Sequence, residues 1–295
     1  MTKTVLVTGA NGQLGRSINS LMSDYDECEF TFVTREELDL SKLDAIDNYF
    51  QNKTFDVIIN CAAHTAVDKA EEEYELADKI NHLAVKKLAE ICKAKNIFLV
   101  HVSTDYVFNG ENFKPYVETD TTDPQSVYGK TKLGGENALQ DINPNGIIIR
   151  TSWVYSEFGN NFVKTMLRVG EERDALNVIF DQVGSPTYAG DLAKAAIEII
   201  SFSGIENQQV NSNIYNYSNE GVASWYDFAK AVFELSKASC ELCPIETKDY
   251  PTPAKRPHYS LLNKAKIKHD FKIEIPYWKD SLIVCLGKLG LSADK

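Results

Sequence analysis

The chain has 295 residues, of which 43% are apolar and 25% charged. That balance excludes disorder, collagen-like repeats and a disulfide-framed miniprotein, and the length favours two domains or one large α/β unit with an appendage. With 31 basic against 42 acidic residues the net charge is −11, a field that repels nucleic-acid phosphates at long range but leaves room for a small anion held by local donors. No apolar run approaches a membrane span, and the start MTKTVLVTGANG lacks the apolar core of a secretion signal. A cytoplasmic protein with no membrane or nucleic-acid partner is expected.

Strand and helix patterns alternate through residues 1–150. Thr4–Thr8 is a compact β-branched run ending at a glycine, and Leu14, Ile18 and Leu21 then recur at helical spacing. Thr31–Val33, Asp56–Asn60, Phe98–Ser103 and Gly146–Arg150 read as further strands. Leu76, Ile80, Leu83, Leu88 and Ile91 outline one long amphipathic helix between the third and fourth. Alternation of this kind implies βαβ crossovers and a Rossmann-type, doubly wound parallel sheet. After residue 150 the rhythm loosens. Helices are expected at Asp191–Ile200 and Trp225–Lys237 and short strands at Val178–Phe180 and Tyr215–Tyr217. Tyr250–Pro257, with three prolines in eight residues, must be a loop. Residues 1–150 are thus read as a dinucleotide-binding domain. Residues 151–295 are read mainly as a smaller substrate-binding domain, with segments returning to the first.

The six cysteines are scattered except for Cys240 and Cys243. No second Cys or His pair follows them at zinc-site spacing, so they are read as structural and no metal is expected.

Thr8–Gly15, TGANGQLG, is a G-x-x-G-x-x-G turn between a strand and a helix. Gly9 and Gly12 let backbone approach a ligand, and the helix that follows points free N–H groups at it, which suits a pyrophosphate. The second strand ends Val33-Thr34-Arg35 instead of at an acidic residue. A hydroxyl and a guanidinium suit a ribose 2′-phosphate better than a diol, so NADPH is expected, with NADH the alternative.

Tyr128 and Lys132 lie at i and i+4 in YGKTK, after a helix-start signal at Asp123-Pro124. An ammonium beside a phenol lowers its pKa and fits it for proton transfer at an alcohol oxygen. Thr104, at the end of the fourth strand, is the third partner, since ligands in such sheets sit beyond the strand carboxyl ends.

These motifs, with the blocks NCAAHTAVDKAE, STDYVF, VYGKTKLGGE, RTSWVY, GNNFVKTML and YPTPAKRP, resemble the extended short-chain dehydrogenase/reductases, and most closely their dTDP-4-dehydrorhamnose reductase branch. The resemblance implies reduction of the 4-keto group of dTDP-4-dehydro-β-L-rhamnose by a nicotinamide cofactor, for cell-surface polysaccharide. It implies that Tyr128 donates the proton, that Lys132 lowers its pKa and holds the nicotinamide ribose, and that Thr104 tunes the substrate oxygen. Gly12, Gln13 and Leu14 would cover the pyrophosphate, Asp39 and Leu40 would frame the adenine, and Ala62, Ala63, His64 and Thr65 would line the cofactor. Thr104, Asp105 and Trp153 would contact the sugar. Arg256, in the proline-rich loop, is the candidate grip on the substrate diphosphate.

Members of that branch are described as magnesium-bridged dimers. The bridging glutamates would fall near Ser17 and Gly190, neither of which supplies a carboxylate, so a monomer or weak homodimer is expected. A sugar-nucleotide dehydratase would be expected to carry Asp-Glu after the strand-end threonine, whereas Asp105 is followed by Tyr106. A 4-epimerase or a non-catalytic, nucleotide-binding regulatory subunit of the same fold is the remaining alternative.

Overall fold

The computed structural model describes residues 2–202 and 213–291. Its centre is a six-stranded parallel sheet. In chain order β1 is Lys3–Thr8, β2 Cys28–Val33, β3 Val57–Asn60, β4 Phe98–Thr104 and β5 Gly146–Thr151; the sixth strand is Asn213–Asn216. Across the sheet the order is Asn213–Asn216, β5, β4, β3, β1, β2. The five strands read from the first half are all present, several one to three residues longer than expected. The sixth, from the second half, pairs with β5 in the register Asn213 to Ile147.

The middle strands are apolar throughout because both faces are covered. On one face Val5, Val7, Ile59 and Val100 pack against helix α1 (Gln13–Leu21) and the helix Ala189–Ser201. On the other, Leu6, Ile58, Leu99 and Ile148 pack against Leu88 and Cys92 of the helix Ala84–Lys95. The smaller body has its own core, in which Val163, Phe228, Val232 and Leu282 join the helices Phe162–Glu172, Trp225–Ser236 and Trp278–Lys288. The helix Ala189–Ser201 and the strand Asn213–Asn216 return to the large sheet, so the smaller body is not one continuous stretch.

Two local readings need correction. The long helix expected around residues 76–91 is divided: Tyr74–Asp78 runs into a π-helical turn, Lys79–Leu83, before Ala84–Lys95. The extra residue of that turn leaves Asn81 buried and bonded to both backbone groups of His64. The tyrosine helix, Val127–Ile142, starts at Ser126 and not at Asp123-Pro124; the Ser126 hydroxyl accepts from Gly129 N at 3.1 Å. A Cβ at Gly129 would stand 2.3 Å from the Tyr106 carbonyl oxygen, so a glycine is required for this helix to sit directly on the turn after β4.

The same helix is pinned to β5 by an enclosed ion pair. Arg150 Nε reaches both Glu136 oxygens and its second terminal nitrogen lies 2.6 Å from Glu136 Oε2; the side chains are 3% and 1% exposed. Glu136→Ala would leave a buried guanidinium without its counter-charge, at a cost of about 3–5 kcal/mol. Denaturant unfolding of the two proteins checks this, and a loss within the ~0–1 kcal/mol of an exposed pair would contradict it.

Candidate active site

Because all six strands run the same way, their carboxyl ends share one edge, and the residues read from the sequence collect there. Beyond β1, Gly9 has φ +66, and a Cβ on it would come within 2.8 Å of Ala62 N. The turn and the segment after β3 therefore meet backbone to backbone. Helix α1 begins without a side-chain cap and with no acidic residue in its first turn. Its leading N–H groups, from Gln13 and Leu14 onward, are free to face an anion. The Gln13 side chain turns away: Oε1 accepts from Ser156 and Asn161 at 2.9 Å each, tying the turn to the smaller body.

Past β2, an open cleft of about 420 Å³ is lined by Asn11, Thr34, Arg35, Glu36, Asp39 and Lys42. Asp39 accepts from Ser41 and attracts Arg35 and Lys42, and Leu40 is buried beside it. After β3, Ala62, Ala63, His64 and Thr65 follow in line. His64 Nε2 lies 3.0 Å from Glu73, whereas its buried Nδ1 has no partner among the described residues. A glycine cradle, an uncapped helix start and an unpartnered ring nitrogen along one edge fit an extended dinucleotide.

Tyr128 is buried, its ring edge-on to Tyr106 with centroids 5.4 Å apart. Burial pushes its phenol up to about 12; the nearby Thr104 hydroxyl works against that rise and Asp105 adds to it. The Thr104 hydroxyl donates to Asp105 Oδ1 at 3.0 Å and accepts from Tyr106 N at 3.2 Å. Asp105 is enclosed, and burial lifts its carboxyl to about 7 against the opposing hydrogen bonds of Thr104 and Ser260.

Lys132 was expected to lower the Tyr128 pKa and to hold the nicotinamide ribose. In the cofactor-free protein its Nζ donates to the Val102 carbonyl at 2.6 Å and lies 3.4 Å from His101 Nε2, and burial lowers it to about 8. The physical reason is enclosure: a buried ammonium takes the nearest backbone acceptor.

On the smaller body's side, Trp153 follows β5 with φ +49, a left-handed conformation costly for a bulky residue and held here by packing. Its indole stacks on Trp225 with ring centroids 3.6 Å apart. Arg256 does not present a free fork, because its two terminal nitrogens hold Asp68 at 2.9 and 2.6 Å. Asp68, which also accepts from Ala254 N, thereby anchors the proline-rich loop to the segment that follows Thr65.

Ser17 donates its hydroxyl to the Gln13 carbonyl, and Gly190 has no side chain. Neither fits the carboxylate bridge to magnesium, and among the described residues no group of three His, Cys, Asp or Glu could hold a metal ion. Cys240 and Cys243 are free thiols.

Sequence reasoning missed Asp68, Asn81, His101 and Trp225. Only His101 carried a signal, as a polar residue inside an otherwise apolar strand.

A doubly wound sheet that gathers a glycine turn, a strand-end threonine and a tyrosine–lysine turn along its carboxyl edge defines a short-chain dehydrogenase/reductase of the extended type. Residues 2–290 match the RmlD substrate binding domain family. The chain is 44% identical over 284 residues to a dTDP-4-dehydrorhamnose reductase from Aggregatibacter actinomycetemcomitans, covering 94% of this chain and 96% of that one. A crystal structure of the Clostridium acetobutylicum dTDP-4-dehydrorhamnose reductase superimposes with TM-score 0.91 at 41% identity, over 97% of this chain and 99% of that one. The Bacillus anthracis reductase in complex with NADP gives the same score at 33% identity, over 98% and 100%. This chain belongs to the dTDP-4-dehydrorhamnose reductase family.

The buried Asp105 has a measurable consequence for stability. Its folded value, about 7, lies above the unfolded 3.8, so the native state holds the proton more tightly. The penalty of ionising it in place is absent below about pH 4, grows between pH 4 and 7, and is complete above 7. The stability of Asp105→Asn relative to the parent should therefore rise by a few kcal/mol, roughly, between pH 4 and 8. Thermal melts of both proteins across that range check it; a difference independent of pH would show that the carboxyl is ionised throughout.

Proposed function

We propose that this protein reduces the 4-keto group of dTDP-4-dehydro-β-L-rhamnose, giving dTDP-L-rhamnose as a precursor of cell-surface polysaccharide, with NADPH as reductant. Carrying this reading is the enclosed Tyr128 beside Thr104 at the β4 carboxyl end, in a chain of this reductase family. Bound NADPH supplies the hydride. The protein's own residues hold and orient the two ligands and deliver the proton.

A phenol held at about 12 is protonated at neutral pH, the state a donor to the developing C4 alkoxide needs. Thr104 re-aims its hydroxyl from Asp105 to the same oxygen, and Asp105 receives a sugar hydroxyl. Lys132, one turn on from Tyr128, would keep a hydrogen for the nicotinamide ribose, and in its ammonium form it would stabilise the phenolate left behind. Gly9, Gly12, Gln13 and Leu14 hold the pyrophosphate through backbone. Asp39 and Leu40 frame the adenine, and Ala62 through Thr65 flank the nicotinamide half. Trp153, braced by Trp225, covers the apolar face of the sugar and fixes which side of C4 faces the hydride. Arg256 meets the diphosphate, which competes with Asp68 for the guanidinium.

No helix among the described residues is long and apolar enough to cross a membrane, and a cytoplasmic monomer or weak homodimer fits a dissolved nucleotide-sugar substrate. A regulatory subunit would have no use for Thr104, Tyr128 and Lys132 together.

Cofactor oxidation with dTDP-4-dehydro-L-rhamnose, assayed with NADPH and with NADH, tests the proposal; no oxidation with either would overturn it. Tyr128→Phe should retain cofactor binding while kcat falls by roughly 10²–10⁴, and unchanged turnover would assign the proton to another group. Arg35→Ala should raise KM for NADPH and leave that for NADH in place, since only the former carries a 2′-phosphate for the guanidinium; equal effects on both would remove Arg35 from cofactor selection.

A further inference from the structure

Behind Lys132 lies a chain of enclosed polar groups that the mechanism above does not use. Thr8, Asn60 and His101, on β1, β3 and β4, are each at most 1% exposed, as is Lys132. The Thr8 hydroxyl and Asn60 Oδ1 are 2.6 Å apart, Asn60 Nδ2 and His101 Nδ1 3.0 Å, and His101 Nε2 and Lys132 Nζ 3.4 Å. These distances orient the chain. The Thr8 hydroxyl accepts from Ala62 N at 3.4 Å and donates its own hydrogen to Asn60 Oδ1, so the Asn60 oxygen faces Thr8. Its NH₂ therefore donates to His101 Nδ1, which must be the bare nitrogen, and the ring proton resides on Nε2. His101 is also neutral, since its complete burial holds it well below its ordinary value.

An imidazole N–H thus points at Lys132 Nζ, whose other close partner is the Val102 carbonyl at 2.6 Å. An ammonium has only hydrogens to offer and meets the imidazole N–H donor to donor. A neutral amine has one lone pair and two hydrogens, and so accepts from His101 while donating to Val102. The other charged group that acts on the lysine is Glu136 of its own helix, which Arg150 of β5 pairs. Glu136 favours the ammonium, but its carboxylate is engaged by that pairing.

We propose that His101 is a positioning residue for Lys132, locked by Asn60 and Thr8 as the Nε2–H tautomer so that it favours the neutral amine at Lys132 Nζ. His101 thereby sets the pH at which the lysine changes charge. The inference takes from the proposed function only that Lys132 serves the proton chemistry.

The test uses the cofactor-free protein. Nitrogen NMR of ¹⁵N-histidine protein, with His101 assigned by its absence in His101→Leu, should show the Nε2–H tautomer and no titration through the acid range. Carbon NMR of ¹³C-lysine protein, with Lys132 assigned through Lys132→Met, should place its midpoint at higher pH in His101→Leu than in the parent. An Nδ1–H or doubly protonated His101 overturns the proposal, as does a Lys132 midpoint that stays or falls in the variant. Should His101→Leu fail to fold, His101 is assigned in the parent by through-bond experiments and its tautomer decides alone. Absence of turnover with the dTDP-sugar, alongside the expected NMR result, would remove the functional reading and leave this one standing.

Discussion

One constraint organises the molecule: a parallel sheet has all its carboxyl ends on the same edge. Once β1, β3, β4 and β5 run side by side, the glycine turn, the Ala62–Thr65 segment, Thr104 and Trp153 are brought together without any loop having to search for its partner. Side-by-side pairing needs crossovers, the crossovers are helices, and the helices bury both faces of the sheet. The apolar strands that make the fold stable and the polar strand ends that make it reactive are therefore consequences of a single topology.

Burial is the second determinant, and it works on the chemistry itself. Tyr128, Asp105 and Lys132 are all enclosed, and each is moved towards its neutral form: the phenol and carboxyl up, the amine down. A protein of net charge −11 would be a poor surroundings for an anionic substrate if its acidic residues lay in the cleft as bare charges. Here Asp68 is paired with Arg256, Glu136 with Arg150, and Asp39 with Ser41, Arg35 and Lys42. The average field and the local field are different quantities, and the local one governs binding.

The contacts between the two bodies tie the segments beyond the strand carboxyl ends to one another. Gln13, beside the glycine turn, reaches Ser156 and Asn161, and Asp68, just past the segment after β3, holds both ends of the Ala254–Arg256 stretch. The glycine turn and the segment after β3 are thus braced by Ser156, Asn161 and the Ala254–Arg256 loop.

Much of this was legible from the sequence. Strand positions, the glycine turn and the Tyr128–Lys132 spacing are local patterns, determined by side-chain hydrophobicity at fixed periods and by the one residue type that tolerates a positive φ. The long helix was misread because a π turn leaves the apolar period nearly intact and differs by a single residue, Asn81, that tertiary hydrogen bonds pull inward. The start of the tyrosine helix was misplaced because Asp123-Pro124 and Ser126 are both acceptable starts, and only the contact of Gly129 with the turn after β4 selects between them. Where Lys132 and Arg256 direct their charges was decided by the tertiary structure alone. Each is a long side chain with several partners in reach, and which one it takes depends on residues 30 positions away for Lys132 and 188 for Arg256. Period and residue type are written along the chain; the partner of a buried charge is settled only when distant segments close around it.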